Sequence, residues 1–301
     1  MAGPVAVSLH LGAHKTASTH LQKSLDQNGG LLKENDVRYF GPKYLRHKDH
    51  AFLDLFGLRP DGVSIGNRDG STQIEWLAKG ARRIVLSDEN ILGPVFDQLN
   101  PGVLYPQADI RVESFIKTVG EHPVSIFLAT REPSSWIASL YSQRVVGGES
   151  RSFKKFVGTN QPHALRWSNL IDRLRRIPSI AGLYLWRKED YPDVAAPVLR
   201  RMIGWRLGPL VGRIDGRVNE GLSAAAIEKL LEWNTEYPKS EARSWVKEAR
   251  ELLPISAENG PFDPWTEPDK LKSRTAYSED IERIRKWDDV EVIKPSQRSR
   301  G

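Results

Sequence analysis

Residues 9–22 read Leu9-His-Leu-Gly-Ala-His-Lys-Thr-Ala-Ser-Thr-His-Leu-Gln22, and this stretch decides the fold. The apolar run Val5–Leu11 before and within it has the length and texture of a buried strand. Gly12 supplies a turn residue, and Leu21, Leu25 and Leu31/Leu32 continue with helical spacing. A strand therefore empties into a short loop that opens directly into a helix. Backbone N–H groups at such a helix start, backed by the helix dipole, form an anion site. Lys15 adds a full positive charge, and Thr16, Ser18 and Thr19 add hydroxyl donors. The arrangement suits binding and transfer of a phosphate-like group. Only two residues separate Gly12 from Lys15, so this is not a Walker A loop, which needs Gly, four residues and then Gly-Lys-Ser/Thr. The plainer alternative is an ordinary helix start capped by Ser18 or Thr19.

Outward from the loop, Asp36–Phe40, Arg83–Ser87, Val124–Thr130 and Gly182–Arg187 read as further strands. The short continuous apolar runs of Arg83–Ser87 and Val124–Thr130 mark strands covered on both faces. Helical patterns lie between them, at Asp109–Val119, from Pro133 through Trp136, Leu140 and Val145, and at His163–Ile177. This alternation predicts an α/β fold with a parallel central sheet flanked by helices. From about residue 220 the strands are expected to stop. Leu222 through Leu231 and Ser240–Leu253 read as helices, Pro254–Lys272 as an irregular loop, and the residues after Lys294 as frayed. The chain thus reads as a single domain over 1–301, an α/β core to residue 220 with a helical C-terminal cover from 221.

The chain has 301 residues, 39% of them hydrophobic, and no cysteine. Disulfides, thiol nucleophiles and Cys-ligated metal sites are thereby excluded. No basic leader precedes Val5, and no apolar run approaches the roughly 20 residues that span a bilayer. A soluble, cytoplasmic protein is the expectation. The net charge of +6 is unevenly spread: residues 151–217 hold 14 Lys/Arg against 5 Asp/Glu. That excess suits a polyanionic ligand, a nucleic acid or an anionic lipid surface, or else a solvated helix face around Arg173–Arg176. No groove-reading or RNA-binding signature accompanies it, so nucleic acid is not the expected partner.

The run His10–Gln22 resembles the 5′-phosphosulfate-binding loop of sulfotransferases that use 3′-phosphoadenosine 5′-phosphosulfate (PAPS), whose bacterial members show His-x-Gly-x-His-Lys-Thr-Gly-Thr/Ser-Thr followed by Leu-Gln. Ala17 stands where that pattern has glycine. A second stretch, Ser125-Ile-Phe-Leu-Ala-Thr-Arg-Glu-Pro-Ser-Ser-Trp-Ile-Ala-Ser-Leu-Tyr-Ser-Gln143, resembles the family's 3′-phosphate motif. There a strand ends in Arg-x-Pro and a serine follows eight residues after the arginine. Arg131 and Ser139 occupy those positions. A guanidinium at a strand's C-terminal end can fork onto a phosphate, and Ser139 can donate to the same group.

The resemblance implies a P-loop-like sulfotransferase fold and a PAPS-dependent enzyme that moves the sulfuryl group to a hydroxyl or amine acceptor and releases 3′-phosphoadenosine 5′-phosphate (PAP). It implies Gly12, Ala13, His14, Lys15, Thr16, Ala17, Ser18, Thr19, Arg131 and Ser139 as cofactor-binding residues, with Lys15 also catalytic on the leaving phosphate. The segment Arg217–Ser223 is a vaguer likeness, and Arg213 and Arg217 are candidates for covering the adenosine. For the base that takes the acceptor's proton, Arg83-Ile-Val-Leu-Ser-Asp-Glu-Asn90 delivers Glu89 to the sheet edge where ligands of open α/β sheets lie. His50, in the cluster His47-Lys-Asp-His50, is the rival. His10, His14 and His20 alternate between strand and loop and are not read as a metal site. Trp136, Trp167, Trp186 and Trp205 are core residues or walls of an acceptor pocket. A glycan, a lipid head group and a small alcohol or phenol all suit the acceptor role. The competing class is a small-molecule kinase or other nucleotide-dependent phosphotransferase. It lacks a proper phosphate loop and an evident acid to hold a metal after Val124–Thr130.

Overall fold

Six strands form the central sheet, the inner ones largely apolar and buried. They are β1 (Ala6–Gly12), β2 (Val37–Phe40), β3 (Arg83–Ser87), β4 (Val124–Thr130), β5 (Ile180–Arg187) and β6 (Glu291–Val292). In the computed structural model, which describes residues 3–59, 61–66, 69–93, 99–100, 102–215 and 221–295, they pair in the order β2-β3-β1-β4-β5-β6, all parallel. The principal helices are α1 (Ser18–Gln27), α2 (Gly70–Ala78), α3 (Ala108–Val119), α4 (Pro133–Val146), α5 (Trp167–Arg175), α6 (Tyr191–Ile203), α7 (Ala224–Glu236), α8 (Ala242–Leu252) and α9 (Glu267–Ile284). The protein is a mixed α/β chain with a six-stranded parallel sheet flanked by helices.

Four readings of the sequence need correction. A strand does follow residue 220: β6 pairs Glu291 and Val292 with Tyr184 and Leu185 of β5, and the Ile293 N–H donates to the Leu185 carbonyl at 2.7 Å. Two residues are too few for a period-2 pattern to register, and acidic neighbours mask the segment. The irregular stretch ends at Thr266, because α9 begins at Glu267. The helix after the loop stops at Gln27, and Leu31 and Leu32 lie on a separate short helix, Gly29–Glu34. The helix read from His163 begins only at Trp167. The expected fraying past Lys294 falls mainly on 296–301, outside the described residues.

The chain divides into two compact units, residues 1–131 with 166–216 and 280–301, and residues 132–165 with 217–279. The first holds the whole sheet. On one face of it Leu21 and Leu25 of α1 join Phe127, Trp186, Val194, Val198 and Met202 in a closed apolar cluster. Each such fully buried side chain contributes about 1.5–3 kcal/mol. In the second unit, Tyr141 of α4 is ringed by Phe153, Phe156 and Phe262 at 5.2–5.6 Å between centroids. Glu132 caps α4 by accepting the N–H groups of Ser134 and Ser135.

The basic middle of the chain is partly neutralised by ion pairs within the protein. Arg151 pairs with Glu149, Arg173 with Asp109, Arg175 with Asp172 and Asp289, Arg176 with Asp172, and Arg201 with Glu291. Acids outside residues 151–217 thus meet several cations inside it, which weakens the case for a polyanion surface. Among the described residues, no helix is long and apolar enough to cross a membrane.

Candidate functional site

Strand order fixes where a ligand can sit. From β1 the chain turns toward β3 and β2, whereas from β4 it turns toward β5. The C-terminal ends of β1 and β4 therefore flank a topological switch point, the crevice where open α/β sheets bind ligands. The loop after β1 and Arg131 after β4 meet there. Arg131 Nη1 donates to the Lys15 carbonyl at 2.8 Å across 116 residues of sequence.

The loop is built tightly. Gly12 has φ +88°, and a Cβ there would lie 2.9 Å from the Cβ of Glu89, so only glycine fits. Thr16 Oγ1 donates to the Ala13 carbonyl at 2.7 Å, and Ser18 Oγ reaches the same oxygen at 3.3 Å. The helix start is not the ordinary capped one: the N-cap residue is Ala17, and no side chain caps it. The first N–H groups of α1 thus keep the character of an anion site. Ala17 adopts φ 70°, ψ 19°, the left-handed conformation for which glycine is the natural choice, and Lys15 adopts φ 62°. A left-handed L-residue costs about 1–2 kcal/mol. Ala17→Gly relieves this and loses part of the gain to unfolded-chain entropy. A net stabilisation of about 0.5–1 kcal/mol is expected, raising Tm by about 1–4 °C. A fall in Tm on calorimetry would show that Ala17 carries no strain.

Glu89 stands at the exit of β3 and touches the loop through Gly12. Gln22 Nε2 of α1 donates to Glu89 Oε2 and to Ser87 Oγ, both at 3.2 Å. Arg46 Nη2 lies 3.0 Å from Glu89 Oε1 and 2.7 Å from Asp88 Oδ1, bridging the two carboxylates. Asp88 is buried and also accepts the Asn90 N–H, so its work is structural. Burial pushes the Glu89 carboxyl upward. Arg46, together with the Glu89 backbone N–H, His14 and Gln22, outweighs that and holds it below the ordinary carboxylate value. Glu89 is therefore ionised at neutral pH. His50 stacks on Tyr44 at 4.7 Å, and His47 pairs with Asp49 at 3.5 Å.

The three histidines of the first motif diverge. His10 Nδ1 lies 2.7 Å from Ser87 Oγ, and its ring stacks on Trp186 at 5.8 Å. Burial lowers its pKa to about 4, against the pull of Glu89, so it is neutral at pH 7. His14 meets Tyr105 and Asn90. His20 bonds the Tyr191 hydroxyl and the Ile214 carbonyl, both at 3.0 Å. Ser139 lies on α4, in the second unit. Trp136, Trp167 and Trp186 are core residues, and only Trp205 of the four is exposed. Arg213 donates to the Pro192 carbonyl at 3.0 Å, and Arg217 lies outside the described residues. Nothing in the sequence marks Arg46 or Tyr105 as site residues, and Gln22 stands in the first motif with no role evident from the sequence. Only Asn90, next to Glu89, had a positional hint.

No protein-family profile matches this chain, and no curated protein matches it. Among solved structures it is similar to a sulfotransferase from Alicyclobacillus acidocaldarius, at 17% identity over 94% of each chain, with a TM-score of 0.34. A likeness that loose carries no argument, and the site is read from its own residues.

Proposed function

We propose that the protein is a PAPS-dependent sulfotransferase, acting on a hydroxyl or amine acceptor by in-line displacement. The observation that carries this reading is the meeting of two separate motifs at the switch point, with the Arg131 guanidinium on the Lys15 carbonyl and Glu89 against Gly12. The donor set suits such a ligand: uncapped helical N–H groups, an ammonium, the Thr19 hydroxyl and a guanidinium are all cationic or hydrogen-bond donors, while the Thr16 and Ser18 hydroxyls brace the loop on the Ala13 carbonyl. PAPS, when bound, supplies an activated sulfuryl group. In this reading the loop Gly12–Thr19 holds the 5′-phosphosulfate, and Lys15 neutralises charge that develops on the leaving phosphate. Arg131 recognises the 3′-phosphate. The motif resemblance adds Ser139 as a second donor to that phosphate, an assignment that Ser139→Ala tests separately. Glu89, ionised and held by Gln22 and Arg46, takes the acceptor's proton.

A thermal-shift screen with PAP, ATP and oligonucleotides tests the reading directly. PAP should stabilise the protein and the other two should not. Stabilisation by ATP without any by PAP would favour the phosphotransferase.

Glu89→Gln should slow turnover about 10²-fold or more with little change in PAP affinity. Because Glu89 acts as carboxylate and its folded pKa is depressed, wild-type activity should be lost only as pH falls below the ordinary carboxylate range. Arg46→Met removes the cation beside it and should move that acid limb upward. Crippled turnover in His50→Ala with normal Glu89→Gln would transfer the role of base to His50.

A further inference from the structure

We infer that Tyr105 and Arg173, neither of them in either motif, are positioning residues that set the shape of the anion loop through His14. This rests on the sulfotransferase reading only for the identity of the loop's ligand. Tyr105 is 2% exposed, and its hydroxyl meets His14 twice. The His14 backbone N–H lies 3.1 Å from Tyr105 Oη, and His14 Nδ1 lies 3.2 Å from it. The two rings are stacked, 5.9 Å apart and 16° from parallel.

Two of these bonds have a fixed direction. An amide N–H can only donate, so Tyr105 Oη accepts there. An amide oxygen can only accept, so His14 Nε2 carries a proton and donates to Asn90 Oδ1 at 3.1 Å. A histidine's tautomer is set by what its other nitrogen bonds, and Asn90 specifies Nε2–H. Burial, which lowers the His14 pKa against the pull of Glu89, Asn90 and Asp88, keeps the ring neutral and leaves Nδ1 bare where it faces Tyr105 Oη.

Tyr105 is itself held in an unusual place. Its φ is 48°, a left-handed conformation that a bulky residue keeps only when its surroundings demand it. Arg173 of α5 makes that demand. Its guanidinium donates to the carbonyls of Leu104 at 2.5 Å, Tyr105 at 3.0 Å and Pro106 at 3.3 Å, and to Asp109 Oδ1 at 2.6 Å. Nη1 serves three of these acceptors and Nη2 the fourth from one plane, whereas an ammonium offers three donors from a single point. The Arg173 charge, which the sequence left as either part of an anion-binding surface or a solvated helix face, is thus turned inward onto the backbone that carries Tyr105. From Arg173 through Tyr105 to His14, a rigid chain reaches the middle of the loop.

The test combines 15N-imidazole NMR with PAP calorimetry on the full chain. In wild type, His14 (assigned by loss of its signals in His14→Gln) should show a protonated Nε2 and an unprotonated Nδ1 throughout pH 6–8. Tyr105→Phe keeps the ring and removes the hydroxyl. It should leave His14 in mixed tautomers and weaken PAP binding about tenfold or more, as the loss of two hydrogen bonds implies. Arg173→Lys should shift both readouts the same way, and should not rescue as a simple charge would. Wild-type tautomer and wild-type PAP affinity in Tyr105→Phe would overturn the inference, even if Tm fell. Failure of wild type to bind PAP would instead overturn the functional reading, and the tautomer result would still decide the inference.

Discussion

Lys15→Ala is expected to reduce turnover by about 10²–10³-fold while leaving the protein folded. The rate effect is that of removing one preorganised donor from a site where negative charge grows. The structure explains why folding should survive. The half-buried Lys15 side chain leaves from a residue already at φ 62°, and alanine brings the same Cβ to the same conformation, so no new backbone strain arises. The contacts that tie this loop to β4 and Arg131 are made by backbone groups, the Ala13 N–H and the Lys15 carbonyl, and outlast the side chain. Turnover with saturating PAPS, set against Tm from calorimetry, separates the two effects. Near-normal turnover would remove Lys15 from the chemistry and with it the assignment of the loop. A collapse in Tm would mean that the ammonium is structural.

The parts of this protein that were legible in the sequence are those written in contiguous residues. Val5–Leu11 and Val124–Thr130 announce strands because both faces of each are buried and most positions are therefore apolar. The loop between Gly12 and Thr19 announces itself because glycine, lysine and hydroxyls cluster where a strand becomes a helix. The positive φ at Ala17 was foreseeable from the pattern, because glycine customarily stands there. What the sequence hid depends on side chains that meet only after folding. Arg46 reaches Asp88 and Glu89 from 42 and 43 positions earlier, and nothing local distinguishes it from any surface arginine. Tyr105 follows an unremarkable Val-Leu pair, and its meaning comes from Arg173, 68 residues on. β6 hid for a different reason. A two-residue edge strand takes its stability from β5 and from the Arg201–Glu291 pair, and carries no pattern of its own.

Discrimination between PAP and AMP should be the largest effect of all, because the two differ only in the 3′-phosphate. Hydrogen bonds to a charged group contribute about 1.5–3 kcal/mol each. Two or more together imply a preference for PAP of about two to four decades, at about 1.4 kcal/mol per decade. Arg131→Ala should erase most of that ratio. The structure sharpens how the result must be read, since Arg131 also holds the Lys15 carbonyl. Loosening of the loop would weaken PAP and AMP equally, through the 5′-phosphate they share, and would leave their ratio untouched. Loss of a 3′-phosphate contact lowers PAP affinity alone. Arg131→Lys provides an internal control: it keeps the charge, and with it part of the ratio, but not the planar fork. Calorimetry with both nucleotides on the three proteins distinguishes these cases. An unchanged ratio with both affinities reduced would make Arg131 a loop support and move the 3′-phosphate elsewhere. Equal affinity of the wild type for PAP and AMP would go further, since a PAPS enzyme must read the group that AMP lacks, and the phosphotransferase would then become the better reading of the same loop.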